Sequence, residues 1–321
     1  VRDQFRYSTN NDSTWSSWST SVPSFTAVTG TNRIQSRRTS TGTGCSYSSV
    51  NEVSWNVVAQ PSSPSLASKY PNQTNVCAGD IVSASFNSGS GGVGCSDNFR
   101  YSTNNGSTWA AYSSGNNINT SGATVVIIQG RRSGCSLNSG CSTSGYSELA
   151  RWNVDPPTAV GTASPNQEIC YGNSPSAISL SSHTGAIQWQ WSSDNINFQD
   201  ISNANSATLT SQLMGQLFEN RYYRAKVTSG TCVPAYSNVV EITINTAPSA
   251  PGFITGVTTV CPNTTSLEYS VEEVTGATSY TWSLPLGWTI VSGENTNAVT
   301  VNAGTASGNI IVSAQNSCGS S

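Results

Sequence analysis

Nine cysteines and a single methionine in 321 residues put disulfide chemistry first among the reactions this chain could support. Cys77, Cys170 and Cys261 recur at spacings of 93 and 91 residues. No Cys-x-x-Cys pair offers zinc its usual ligand spacing, so the cysteines are read as bridges formed in an oxidising compartment. Other candidate chemistry is sparse. The one histidine, His183, lies in a Ser/Thr/Gly stretch with no acid or nucleophile motif beside it. Glu272 and Glu273 are adjacent, so on a strand they point to opposite faces and cannot act as a dyad. Asp80, Asp97 and Asp155 are scattered carboxylates near module ends, where calcium binding would need a module joint; no EF-hand loop is present. No catalytic residue, cofactor or resident metal is expected, and the chain reads as a non-enzyme.

The elements that hold these residues are repeated. The stretch from Phe5 to Trp15, FRYSTNNDSTW, returns from Phe99 to Trp109 with one residue changed, at an offset of 94. Arg37-Arg38 returns as Arg131-Arg132 at the same offset, and Trp55-Asn56-Val57 returns as Trp152-Asn153-Val154 at 97. Aromatic pairs two apart follow each early cysteine: Phe99/Tyr101, Trp189/Trp191 and Tyr280/Trp282. A period near 93 marks tandem modules. Proline-rich joints fall at Pro61–Pro64, Pro156-Pro157 and Pro248–Pro251. The resulting division is 1–59 (the C-terminal part of module one), 60–155 (module two), 156–246 (module three) and 247–321 (module four). Residue 1 falls inside a motif and module four stops short of a last strand, so a window onto a longer array is expected.

Each module reads as β-structure. Ile187, Trp189 and Trp191 alternate with polar residues, as do Tyr223, Ala225 and Val227, and Val240, Ile242 and Ile244. Period two over short runs is the mark of strands with one buried face. Ser192–Asn195 is a turn cluster that predicts a hairpin ending near Phe198. One helical turn is expected around Leu213–Phe218. Strands at regular spacing over about 90 residues give an all-β fold of tandem immunoglobulin-like antiparallel β-sandwich modules, with the aromatic pairs on a central strand facing the core.

Aligning module one on module two predicts the cysteine pairing. Val1 falls opposite Cys95, Ser40 near Cys135, and Cys45 opposite Cys141. Two partners missing together imply a Cys95–Cys135 bond, which leaves Cys77 for Cys141. By the same spacing Cys170 pairs with Cys232 and Cys261 with Cys318, while the partner of Cys45 lies upstream of Val1. Each bond closing about 60 residues is worth roughly 4 kcal/mol in the chain-entropy model.

The Ser102–Trp109 stretch resembles the Asp-box hairpin of sialidase-like propellers, with Asn in place of Asp. The copies recur every 94 residues, about twice a propeller blade, and no cluster of catalytic arginines accompanies them, so the preferred reading is a polar hairpin turn with its Trp laid on the sheet. Trp15/Trp18 and Trp109/Tyr112 are three apart and face opposite ways on a strand, so Trp18 and Tyr112 are candidates to stack on a sugar ring; the plainer role is cover for a neighbouring loop.

Only 9% of residues are charged and the formal net charge is −3. Nucleic acid is therefore disfavoured, since it requires clustered Lys and Arg; the arginine pairs read as isolated, solvated positions near strand ends. With 36% hydrophobic residues and nine tryptophans each module can still bury a core. The best apolar run, Ala123–Ile128, is far too short for a membrane-spanning helix, so direct membrane insertion is not expected.

Tyr223–Cys232 followed by Ala235–Val240 resembles a strand pair common in the Ig-like and PKD-like modules of large secreted Bacteroidota proteins. Val260-Cys261-Pro262, Gly276–Trp282 and Asn316–Gly319 resemble the PKD-like type. The resemblance covers modules three and four well and the first two loosely. It implies PKD-like sandwiches, export by the type IX system and a place at the cell surface, associated with the outer membrane. It further implies a structural or adhesive role of the gliding-motility kind, with surface glycans or other surface and secretion-system proteins as partners. The other role such modules serve is as accessories, some glycan-binding, of a secreted polysaccharide-degrading enzyme.

Overall fold

The computed structural model describes residues 1–44, 46–136 and 141–321. They form two compact units, 1–156 and 157–321.

In the first unit β1 (Arg2–Ser8), β2 (Gly30–Thr39) and β3 (Asn51–Val57) make one antiparallel sheet in that order. Module two follows with β4 (Ser65–Tyr70), β5 (Asn75–Cys77), β6 (Ile81–Asn87), β7 (Ser96–Ser102), β8 (Ala110–Tyr112), β9 (Ile118–Asn119), β10 (Val125–Ser133) and β11 (Ser147–Asp155). These form a sheet β4-β6-β9 and a second, β5-β11-β10-β7-β8, in which β5 runs parallel to β11. Val82 and Ala84 of β6 meet Val126, Ile128 and Trp152 of the other sheet in one buried cluster. Alternation on each strand makes this possible, because every second side chain faces the partner sheet.

Module three contains β12 (Ala163–Ser164), β13 (Gln167–Cys170), β14 (Ile178–Leu180), β15 (Ala186–Ser192), β16 (Gln199–Asp200), β17 (Thr208–Leu209), helix α1 (Ser211–Met214), β18 (Arg221–Thr228), β19 (Ala235–Tyr236) and β20 (Val240–Asn245). Its small sheet is β12-β14-β17; its large one is β13-β20-β18-β15-β16, with β19 paired to β18. The strand order repeats that of module two, including the parallel β13–β20 pair. Ala225 and Val227 are fully buried while Arg224 and Lys226, which alternate with them, are not. The expected hairpin is present: Trp191 pairs with Gln199 across the Ser192–Asn195 turn.

Module four has β21 (Thr255–Gly256), β22 (Leu267–Ser270), β23 (Ser279–Ser283), β24 (Thr289–Ser292), β25 (Ala298–Asn302), β26 (Ile311–Asn316) and β27 (Gly319–Ser320), arranged as β21-β22-β25-β24 and β23-β26-β27. Its core joins Tyr280 and Trp282 to Tyr269, Val299, Val301 and Ala314. The aromatic pairs of modules two and three lie on interior strands, β7 and β15, but β23 is the outer strand of its sheet. The chain is thus a tandem array of immunoglobulin-like β-sandwiches, nearly all β.

The repeat conceals one difference. Trp152 is 0% exposed, whereas its counterpart Trp55 is 48% exposed. Among the described residues, 1–59 contribute the single sheet β1-β2-β3, on which Trp55 lies half-exposed.

Candidate functional site

The cysteines come together differently from the spacing argument, and the strands explain why. Ser96 is the ladder partner of Ser133, which brings the neighbouring Cys95 and Cys135 to a Cα separation of 4.0 Å, and they are bonded. Cys170, expected with Cys232, is instead bonded to Cys318. Cys170 lies opposite Asn245, at the end of β20 beyond Ile242, and Ile242 pairs with Arg221 at the start of β18. Cys232 follows Thr228 at the other end of β18, a strand about 24 Å long. A disulfide needs Cα atoms within about 7 Å.

The same geometry overturns the other two expected pairs. Cys77 ends β5 opposite Asp155, near the Val125 end of β10. The segment after Cys141 hydrogen-bonds at the far end, where the amide of Arg132 donates to Ser144 Oγ, again about 24 Å away. The structure therefore does not join Cys77 to Cys141. Cys77 and Cys232 are each disulfide-bonded, but to neither expected partner. Cys318 follows the last residue of β26, while Val260 and Pro262, on either side of Cys261, line a groove shared with Ile310 at its start. Cys261 is an exposed free thiol. Cys45 lies outside the described residues. In each complete module the early and late cysteines thus occupy opposite poles, and Cys170–Cys318 ties consecutive modules across their joint.

A second constellation escaped sequence reading. Arg6 and Gln35, Arg100 and Gln129, and Arg224 and Gln190 are cross-strand partners, each arginine Nε donating to the glutamine Oε1 at 2.8, 3.1 and 2.9 Å. Aromatic rings flank every guanidinium. Arg6 lies 4.6 and 4.7 Å from the centroids of Trp15 and Trp18. Arg100 lies 4.2 and 3.6 Å from Trp109 and Tyr146, and Arg224 lies 3.9 and 4.2 Å from Phe198 and Tyr236. Arg37 and Arg131, expected to be solvated, extend these stacks onto Trp18, Tyr47 and Tyr146. Their neighbours are paired too, Arg38 with Asp3 and Arg132 with Asp97. The available signal was the placement of Arg6 and Arg100 between inward aromatics, which turns both outward, together with the recurrence of Tyr47 as Tyr146.

Each exposed cation–π contact is worth about 0.5–1 kcal/mol. Arg100→Ala removes two of them and strips Gln129 of a charged donor, so a loss of about 1–2 kcal/mol is expected in equilibrium denaturation. Arg100→Lys should recover only part of it, since an ammonium cannot stack as a planar guanidinium does. A fully neutral Arg100→Ala would show that the stacks are incidental.

The candidate sugar platforms are occupied. Tyr112 is 7% exposed; its hydroxyl donates its one proton to the Asn116 carbonyl at 2.8 Å or the Ala84 carbonyl at 3.0 Å and accepts from the Ala84 amide. It is a core residue, and burial raises its phenol pKa. Trp18 is already stacked by Arg6 and Arg37. Asn104 supplies the turn that the Asp-box likeness suggested: its Oδ1 accepts from the Thr108 amide and its Nδ2 donates to Thr108 Oγ1, both at 2.9 Å. In module three Asp194 takes that place. The Asn197 amide, the Ser192 hydroxyl and the Ile196 amide, in that order of effect, donate to its carboxylate and hold it far below the usual range.

The remaining candidates stay apart. His183 is half-buried in the turn before β15, and Glu272 and Glu273 are exposed in the loop after β22 rather than on a strand. Asp97 pairs with Arg132 at one pole of module two and Asp155 lies at the other, beside Cys77. Asp80 Oδ2 accepts from the Cys77 amide. Among the described residues no three of His, Cys, Asp and Glu gather as metal ligands.

Residues 247–321 match the family model of a PKD-like domain, and 159–246 match that of a domain of unknown function, DUF8696. No curated protein matches. Among solved structures the chain is similar to a marsupial T cell receptor (10% identity, TM-score 0.37, covering 82% of this chain and 98% of that one). It is also similar to domains A168–A170 of titin (13%, 0.35, 81% and 94%), and to the FN1–FN3 domains of chicken CNTN1 (12%, 0.26, 82% and 96%).

Proposed function

We propose that this chain is a disulfide-tied stalk, the structural and adhesive repeat region of a secreted bacterial cell-surface protein, without a catalytic site of its own. The observation that carries the reading is the Cys170–Cys318 bond. A covalent tie between consecutive modules serves no pocket; it holds the joint and resists tension along the array. Disulfides suit an oxidising, extracellular setting, and among the described residues no helix is long and apolar enough to cross a membrane. The match of residues 247–321 to a PKD-like domain agrees with the likeness of their motifs to Bacteroidota surface modules. In its finer form the proposal is an outer-membrane-associated adhesin of the gliding-motility type, exported by the type IX system, with surface glycans or other surface proteins as partners. The accessory, glycan-binding alternative is weakened by the engagement of Trp18 and the burial of Tyr112.

Electron microscopy of the purified, oxidised chain is expected to show elongated particles that lose their uniform outline on reduction. Compact particles would overturn the stalk.

A further inference from the structure

Cys170 and Cys318 are 148 positions apart in sequence, yet their Cα atoms lie 5.3 Å apart. Nearly all of modules three and four lies between them. Upstream of Cys170 module three has only the short strands β12 and β13, and of its buried core only Ala163. The buried core of module four, from Tyr269 to Ala314, falls entirely between the two cysteines. Cys318 comes just after β26, the strand that carries Ala314.

A pull that enters before β12 and leaves after Cys318 has two routes. One follows the backbone of residues 171–317, which bears covalent load only after both modules have been drawn out. The other crosses one bond. The second route is shorter by about 500 Å, since each extended residue spans up to about 3.6 Å. It also has no slack to take up. Asn316 donates from Nδ2 to the Thr246 carbonyl at 2.8 Å and to the Gly276 carbonyl at 3.0 Å, while its Oδ1 accepts from the Cys318 amide at 2.8 Å. These bonds hold the Cys318 end at the joint before any load arrives.

We propose that the Cys170–Cys318 bond is a load bypass with a redox release: tension crosses the bond, residues 171–317 stay folded beside it, and a dithiol reductant turns them into a reserve of length. The proposal rests on the same tie as the stalk reading but not on an elongated outline, so the two stand or fall separately. In the release step a thiolate of the reductant attacks one sulfur, forms a mixed disulfide and expels the other cysteine as thiolate. The second thiol of the reductant then displaces the first cysteine. Two cysteine thiols are left and the dithiol is oxidised to its own disulfide. Both cysteines are half-buried rather than enclosed, so a small dithiol can reach them.

Single-molecule stretching of the full chain, with bio-orthogonal handles at Pro157 and Ser321, tests both parts. The handle at Pro157 leaves residues 1–156 outside the pulled path. Without reductant the parent chain is expected to lengthen by no more than about 60 Å, the reach of residues 157–170 and 318–321. Cys170→Ser should yield about 500 Å more under the same load. The parent chain should gain that same length once dithiothreitol is added. Final length is read whether or not the variant's modules are folded, so a folding defect cannot imitate the bypass. A parent chain that yields about 500 Å without reductant overturns the bypass, as does a variant no longer than the parent. No gain of length with dithiothreitol overturns the release.

Discussion

Replacing Cys170 with serine is expected to cost modules three and four about 4 kcal/mol each, although a single bond is lost. The bond spans 148 residues in sequence, but both of its ends lie at the joint. Cys170 is the ladder partner of Asn245, and Asn316, two residues before Cys318, donates its side-chain amide to the Thr246 carbonyl. If module four opens while module three stays folded, the bond closes the stretch from Asn245 to Cys318. If module three opens instead, it closes the stretch from Cys170 to Thr246. Either loop is roughly 75 residues, for which the chain-entropy model gives about 4 kcal/mol. Cys318→Ser should have the same effect, and the double variant no more than either alone, since only one bond is at stake. Native-state hydrogen exchange along the Trp189–Ala225 and Tyr280–Ala314 pairs reads the two modules separately. A loss confined to one module would show that the bond acts inside it rather than at the joint.

Trp152→Ala is expected to destabilise module two by about 3–5 kcal/mol, the range for emptying a large aromatic from a closed core. The indole is fully buried, donates to the Pro71 carbonyl at 2.9 Å and lies 5.3 Å from the Lys69 ammonium. Trp55→Ala, made in the same three-residue motif 97 positions earlier, is expected to cost about 1 kcal/mol or less, because nearly half of that side chain already meets water. Urea unfolding monitored by far-ultraviolet dichroism compares the two. Equal losses would mean that the half-exposed indole of Trp55 is covered in solution.

Much of the fold was legible because it rests on local rules. Period-two alternation in Ile187–Trp191, Tyr223–Val227 and Val240–Ile244 marked strands whose inner faces are buried, and the Ser192–Asn195 cluster marked its hairpin. Cys95 and Cys135 were legible for another reason: they are absent together from the sibling repeat, and a bond is a property of the pair. Other placements were not legible. Tyr112 looked exposed from its distance to Trp109, yet β8 ends with that ring inside the core, tied to Ala84 of the opposite sheet.

What the residues determined by themselves was the kind of structure: disulfide-bonded all-β modules, repeated about every 93 residues. What only the tertiary structure decided was which cysteine meets which. Cys170 and Cys232 repeat at the right interval for a bond within one module, but antiparallel strands carry them to opposite ends of β18. The late cysteine of module four is brought by the joint to where Cys170 lies. Spacing along a chain counts residues; a disulfide responds to position, and position is set by which way each strand runs.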